Sequence, residues 1–307
     1  MGHDGWLADI FTLMFELRCT VRRCEKVLCL TDRGLTCAAG HHFDRAKQGY
    51  WNLLQPQDRR SKSPGDSDDA VDARERWLSR GHNDGLVETL RDWIEIDDQS
   101  RSARVLDLGC GVGAFGASLF ACQANGYCGI DLSKRAIKIA ARRWPEATWV
   151  LANADRGLPS SNESVDTVIS LFGRRPLTEI QRVLRSGGQC IVAVPAEDDL
   201  IELRTLVQQE GRRRSRWKQI VDQMRDADME CVARTTWREQ VELAPDAISD
   251  ALAMTYRAVR RSQQSRVDAL GPTRVTLAAD CLRFHRGPTE RSRYQSSHRS
   301  HGLADET

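Results

Sequence analysis

Between residues 104 and 195 the hydrophobic positions fall into short continuous blocks, separated by stretches in which apolar residues recur three or four apart. "RVLDLG", "GYCGIDL", "ATWVLAN", "SVDTVISLF" and "GGQCIVAVP" are the blocks. Apolar runs of this length, bounded by turn residues, predict strands buried on both faces. "AFGASLFACQA", "SKRAIKIAARRW" and "LTEIQRVLR" lie between them and predict amphipathic helices, with Ser133 placed to cap the second. Strands alternating with helices predict parallel βαβ units with right-handed crossovers. Further on, "AEDDLIELRTLVQQE" reads as another helix. "DMECVARTTWREQVEL" and "PTRVTLAADCLRFHR" read as a final antiparallel pair around the helix "PDAISDALAMTYRAV".

Upstream the pattern changes. Residues 1–54 are rich in Cys, His and aromatics and predict a separate N-terminal module. Residues 55–81 predict a linker and connecting helix, in which Pro56, Pro64 and Gly65 mark turns. From Asp68 the run "DDAVDARERWLSRGHNDGLVETLRDWIEI" predicts two helices punctuated by Gly81 and His82, with Asn83 or Asp84 capping the second. The main domain spans 82–286. Residues 287–307 are rich in Ser, Arg and His with almost no aliphatic side chain, which predicts a disordered tail.

Charge and cysteine content narrow the class. The 45 basic and 43 acidic residues leave a net charge of +2, so no strong overall field is expected, though local basic patches are. No apolar run reaches the length of a membrane span, and Asp4, Asp9 and Glu16 interrupt the opening segment, against a secretory signal. Of ten cysteines, Cys19, Cys24, Cys29 and Cys37 fall within nineteen residues. That clustering predicts a local metal site in a cytoplasmic protein rather than a disulfide framework.

The strongest chemical signal is "VLDLGCGVGAFG". A strand ends at Asp107, and Gly109, Gly111 and Gly113 let the backbone turn sharply and approach a ligand at the head of a helix. Asp131 ends the next strand, eighteen residues after Gly113, where a carboxylate can accept both hydroxyls of a ribose. NAD and S-adenosylmethionine both meet these terms. Two details favour the second: Gly116, not residue 114, follows Gly113, which reads as lacking the G-x-G-x-x-G spacing that seats a pyrophosphate, and a carboxylate at Asp107 would repel a pyrophosphate and attract an ammonium group. The third strand ends in "ANAD", where Asn153 or Asp155 is placed to meet an adenine amino group.

Near the N-terminus, Cys24, Cys37 and His41 are spaced C-x12-C-x3-H, and Cys19 precedes Cys24 as C-x4-C. Such spacings aim paired ligands at one tetrahedral zinc. On spacing alone, Cys29 competes with Cys19 and His42 with His41. A module of this size buries too little surface to be stable alone, so a metal would contribute much of its folding energy.

"LDLGCGVG", "GIDLSK" and "VLRSGGQCIVAVP" resemble the motifs of class I S-adenosylmethionine-dependent methyltransferases. "CAAGHHFDRAKQGYWNLL", "KSPGDSDDAVDAR" and "WLSRGH" extend the likeness, in order from about Leu17 to Pro195, to the guanine-N1 methyltransferases of 23S ribosomal RNA, the RlmA-like group. The resemblance implies an α/β fold, a Rossmann-like, seven-stranded, mostly parallel sheet with an N-terminal zinc-binding module. It implies zinc on Cys19, Cys24, Cys37 and His41, and S-adenosylmethionine at Gly111, Val112, Asn83 and Asp199, beside the Asp107, Gly109 and Asp131 read from the turn itself. It implies a 23S rRNA hairpin as partner and no membrane, and leaves a homodimer open. The chain departs from the family pattern at C-x4-C, at Asn83 in place of an aromatic, at Asp199 in place of a histidine, and at "GRR", residues 173–175. These departures keep two alternatives in view: a same-fold methyltransferase acting on a small molecule or another RNA, and a non-catalytic, zinc-stabilised RNA-binding protein.

The displaced proton of guanine N1 needs an acceptor, for which Asp66, Asp155, Asp199 and His82 qualify by class. Arg22, Arg23, Lys26, Arg45, Lys47, Tyr50, Trp51, Arg59, Arg60 and Lys62 are expected to face RNA, with packing of the module onto the main domain as the alternative for Tyr50 and Trp51; the run at 211–218 reads equally as a phosphate contact or a solvated helix face.

Overall fold

The computed structural model describes residues 15–22, 24–58, 65–94, 103–208, 215–255, 265–267 and 269–287. Arg23, Arg59, Arg60, Lys62, residues 211–214 and the tail expected beyond Gly287 lie outside the described residues.

The first four strands are β1 (Leu17–Arg18), β2 (Val27–Thr31), β3 (Gly34–Cys37) and β4 (His42–Phe43), paired antiparallel in that order. β5 (Trp51–Asn52) follows, then α1 (Asp68–Ser79) and α2 (Asp84–Arg91). The alternating region contains β6 (Val105–Leu108), α3 (Ala114–Phe120), β7 (Tyr127–Asp131), α4 (Lys134–Arg143), β8 (Thr148–Leu151), β9 (Val165–Leu171), α5 (Leu177–Val183) and β10 (Leu184–Pro195). After α6 (Ile201–Gln208) and α7 (Trp217–Arg225), β11 (Met229–Leu243) and β12 (Thr273–Arg286) flank α8 (Pro245–Thr255). The main sheet runs β11-β12-β10-β9-β6-β7-β8-β5. β12 lies antiparallel to β10 and β11, and the other pairings are parallel.

The sheet therefore has eight strands, not the expected seven. The additional one is β5, in a segment read from the sequence as part of the metal module. Trp51 and Asn52 pair with Val150 and Leu151 of β8, and the indole of Trp51 is buried at the sheet edge. Two residues carry too little pattern to announce a strand; the exposed edge of β8 supplies the partner.

Alternate side chains divide between two cores. One holds Leu86, Leu90, Phe120, Tyr127, Ile137 and Trp149 against the helices. The other holds Leu106, Leu108, Ile130, Val150 and Val192 on the opposite face, and it includes Leu17, Leu28, Leu35 and Phe43 of the small sheet. Burying each of those leucines contributes about 2 kcal/mol, so the metal module is packed onto the main sheet. Among the described residues no helix is long and apolar enough to cross a membrane.

α1 is fastened across the molecule to α8. Ser67 caps α1 by accepting the Ala70 N–H at 3.2 Å. From its last turns, Arg76 donates to Asp250 at 2.5 and 3.0 Å, and Arg80 donates to the same carboxylate at 2.5 Å. Burial pushes the Asp250 carboxyl up, but the hydrogen bonds from the two guanidinium groups outweigh it and hold the group below the usual carboxylate range. The stability this provides is complete above about pH 4 and is lost as pH falls through the depressed value. Asp250→Ala is expected to cost about 2 kcal/mol in urea unfolding at pH 7, with the difference from the parent protein shrinking below pH 4.

Candidate active site and metal centre

β6 runs straight into the glycine turn. Gly109, Gly111 and Gly113 have φ of +69°, +54° and +72°, the left-handed region that costs a side-chain-bearing residue dearly. Space forbids a side chain as well: a Cβ on Gly113 would lie 2.5 Å from the ring of Trp149. The N–H groups of Gly109 and Cys110 donate to the carbonyl of Ile130 at 2.9 and 3.1 Å. Asp131 receives the Gly111 N–H at 2.9 Å on one carboxylate oxygen and the Ser133 N–H at 2.7 Å on the other. Each oxygen keeps a further lone pair for a ligand. Burial raises the Asp131 pKa, and those two N–H groups oppose the rise.

Asp107 lies beneath the turn, buried, and accepts the Tyr127 hydroxyl at 2.5 Å. Burial lifts its pKa to about 7, the Tyr127 hydrogen bond pulls the other way, and the Asp131 charge adds to the lift. Contrary to the expectation from the sequence, Gly111, Gly113 and Gly116 do keep the G-x-G-x-x-G spacing of dinucleotide sites, so spacing does not choose the cofactor. The carboxyl under the turn does, since it disfavours a pyrophosphate. Gly116 serves close helix–strand packing: a Cβ there would lie 2.0 Å from the Tyr127 oxygen.

The remaining predicted residues lie in part on other elements. Val112 is buried among Val71 of α1 and Ala136 of α4, and its carbonyl accepts from Arg143 at 2.7 Å. Asn83 stands at the head of α2, where its side-chain oxygen accepts the Trp77 indole N–H at 2.7 Å instead of capping the helix. Asp199 follows β10 and accepts the Ala278 N–H at 3.0 Å; burial raises its pKa to about 6. His82 stacks on Trp77 with centroids 4.2 Å apart, and burial lowers its pKa. Asp107, Gly109, Gly111, Val112 and Asp131 thus converge on one turn, whereas Asn83 and Asp199 are held on separate elements.

Two arginines join the rim that no local pattern announces. Arg74 of α1 passes over Gly111, its Cδ 3.8 Å from where a Cβ would stand, and pairs with Asp66 at 2.7 Å. The Gly-Asp-Ser segment after Pro64 is thereby drawn over the crevice, with Gly65 packed on the Ser133 backbone. Arg174 pairs with Asp155 at 2.7 Å, joining the loop after β9 to the loop after β8. The Asn153 side chain accepts the Asp155 N–H at 3.1 Å.

In the small sheet Cys19, Cys24, Cys37 and His41 come together, their ligand atoms all within 4.8 Å of one another. Cys24 Sγ lies 3.6 Å from Cys37 Sγ, and His41 Nδ1 lies 3.5 Å from Cys19 Sγ and 3.4 Å from Cys37 Sγ. Tetrahedral zinc has ligand edges of about 3.8 Å between sulfurs and about 3.6 Å between sulfur and nitrogen, so this donor set fits the ion. Cys29 is exposed, and His42 bonds to Thr36 and Asp44; both stand outside the cluster. Burial pushes the Cys19 thiol up, whereas at Cys37 the backbone N–H groups of Ala39 and His41 outweigh burial and draw the thiol down.

A cleft of about 640 Å³ separates this module from the C-terminal end of β8, with Arg18, Arg22, Asn153 and Arg156 along it. Arg22, Lys26, Arg45 and Lys47 are exposed as expected. Tyr50 and Trp51 are not: both are buried, so they pack the module onto the sheet and present no ring to a base.

Two family models match this chain, "Methyltransferase domain" over residues 105–188 and "RlmA, N-terminal" over residues 17–62. A relative from Streptomyces fradiae, named "23S rRNA (guanine(748)-N(1))-methyltransferase", is 33% identical over 248 residues, covering 78% of this chain and 84% of its own. A relative from Micromonospora griseorubida, named "Putative 23S rRNA (guanine-N(1)-)-methyltransferase", is 33% identical over 210 residues, covering 62% of this chain and 69% of its own. A solved structure from Thermotoga maritima, described as a SAM-dependent methyltransferase, covers 71% of this chain and 97% of its own at 18% identity and a TM-score of 0.46. With its class I methyltransferase domain, glycine turn and zinc ribbon, the chain belongs to the 23S rRNA (guanine-N1)-methyltransferase family.

Proposed function

We propose that this protein transfers a methyl group from S-adenosylmethionine to N1 of a guanine in a hairpin of 23S ribosomal RNA, in the cytoplasm. The observation that carries the reading is the union of two sites on one core: a glycine turn with Asp107 and Asp131 beside it, and a zinc ribbon packed on the same sheet, in a chain similar over most of its length to a relative named for this reaction.

S-adenosylmethionine supplies, when bound, a methyl carbon made electrophilic by its sulfonium. The turn would hold the cofactor against backbone, with the free lone pairs of Asp131 available to its ribose hydroxyls and Asn153 to its adenine. Asp107 would be drawn into its ionised form by the cofactor's ammonium group. Catalysis then rests on holding the guanine in line with the methyl group. Of the candidate proton acceptors, Asp66 and Asp155 are paired with arginines and His82 is stacked on Trp77. Asp199 accepts one backbone N–H and has the raised pKa suited to a base working near neutrality. We assign the N1 proton to Asp199. Cys19, Cys24, Cys37 and His41 would give a zinc ion four protein ligands, so its part would be structural: to hold the ribbon that forms one wall of the basic cleft.

Three outcomes are expected. Unmodified 23S rRNA incubated with the protein and S-adenosylmethionine gains one N1-methylguanosine by mass spectrometry; cofactor binding without that product would refute the substrate assignment. The rate rises with pH through about 6, as Asp199 loses its proton, and Asp199→Asn lowers kcat about 100-fold and removes that limb. Purified protein carries one zinc per chain by elemental analysis, and Cys37→Ser loses both the metal and thermal stability.

A further inference from the structure

Phe172 is the first residue beyond β9, and it combines two features that packing does not explain. Its side chain is 43% exposed, which makes it the one aromatic among the exposed large hydrophobic residues described. Its backbone has φ of +60°, a costly conformation for a bulky residue and one that a glycine would adopt freely. The position is held firmly: the Phe172 N–H donates to the Ala193 carbonyl at 2.8 Å. The next residue seats the loop on the glycine turn. A Cβ on Gly109 would lie 3.3 Å from the Cα of Gly173, and a Cβ on Gly173 would lie 2.3 Å from the Leu108 carbonyl oxygen. Phe115, in the first turn of α3, faces Phe172 with ring centroids 6.1 Å apart and planes inclined at 40°.

We infer that Phe172, backed by Phe115, is the stacking platform that receives the flipped guanine and sets it against the methyl group. The inference rests on the guanine reading given above. A base leaving its RNA stack forfeits the faces of its neighbours, and an exposed aromatic ring restores one. The ring stands where that restoration is useful, at the tip of β9, beside Phe115 of α3 and one residue before Gly173, whose backbone packs on the glycine turn. The left-handed backbone turns the side chain outward at the mouth of the crevice, where a stacked base covers it. Tyr50 and Trp51, the other aromatic candidates, are buried and cannot serve.

The test uses the full-length protein and an unmodified 23S rRNA transcript. Phe172→Ala lowers kcat/KM about 20-fold, whereas Phe172→Tyr and Phe172→Trp stay within about threefold of the parent, and S-adenosylmethionine affinity by calorimetry is unchanged in all three. Phe172→Gly relieves the backbone and melts no lower than the parent, yet loses as much activity as Phe172→Ala; a merely structural phenylalanine would lose stability with activity. Full activity in Phe172→Ala overturns the inference. If the parent protein binds the cofactor but leaves 23S rRNA unmethylated, the substrate reading fails, and a second measurement decides the platform. Guanosine 5′-monophosphate is titrated into Phe172→Trp with S-adenosylhomocysteine present. Saturable quenching of the introduced indole, absent from the parent, upholds a purine-stacking site, and no quenching overturns it.

Discussion

Asp131 binds the N–H of Gly111 with one carboxylate oxygen and the N–H of Ser133 with the other, tying the glycine turn to the head of α4. Three glycines in the left-handed region are the most mobile stretch a chain can contain when nothing holds them. The clamp, with the two N–H groups donated to Ile130, converts that mobility into a defined concave surface. The neighbouring parts of the crevice take their places from it. Arg74 lies over Gly111, Gly65 lies on Ser133, and the loop that carries Phe172 lies on Gly109.

The second organising fact is the continuity of the core on the far face of the sheet. Leu17, Leu28, Leu35 and Phe43 share a cluster with Leu106, Ile130, Val150 and Val192. Metal ligation alone would hold the ribbon together but not orient it. Burial of these side chains and the pairing of β5 with β8 orient it, and that fixes the basic cleft beside the C-terminal end of β8. The same packing removes Tyr50 and Trp51 from solvent and leaves charged residues exposed on this side.

Two buried acids stand out electrically. Asp107 and Asp199 both carry pKa values raised by burial, to about 7 and about 6, one below the glycine turn and one beyond β10. A raised carboxyl is costly in the free protein and becomes less so when a cation arrives. The Asn83 side chain receives the Trp77 indole N–H.

The strands β6 to β10, the antiparallel pair β11 and β12, the cap at Ser133 and the glycine turn are legible along the chain, because each rests on apolar periodicity or on a backbone conformation that only glycine tolerates. So is the presence of a metal corner, from the spacing of its cysteines. The order of side chains along a segment does not report which distant segment lies across from it. Packing alone brings Cys19 and His41 to the cluster and leaves Cys29 and His42 outside, recruits Trp51 to an eighth strand, and carries Arg74 and Arg174 to the rim. It also decides that Phe172 is exposed. The local pattern sets which face of each element is apolar. Which faces meet depends on burying them together, and that is settled between residues often a hundred positions apart.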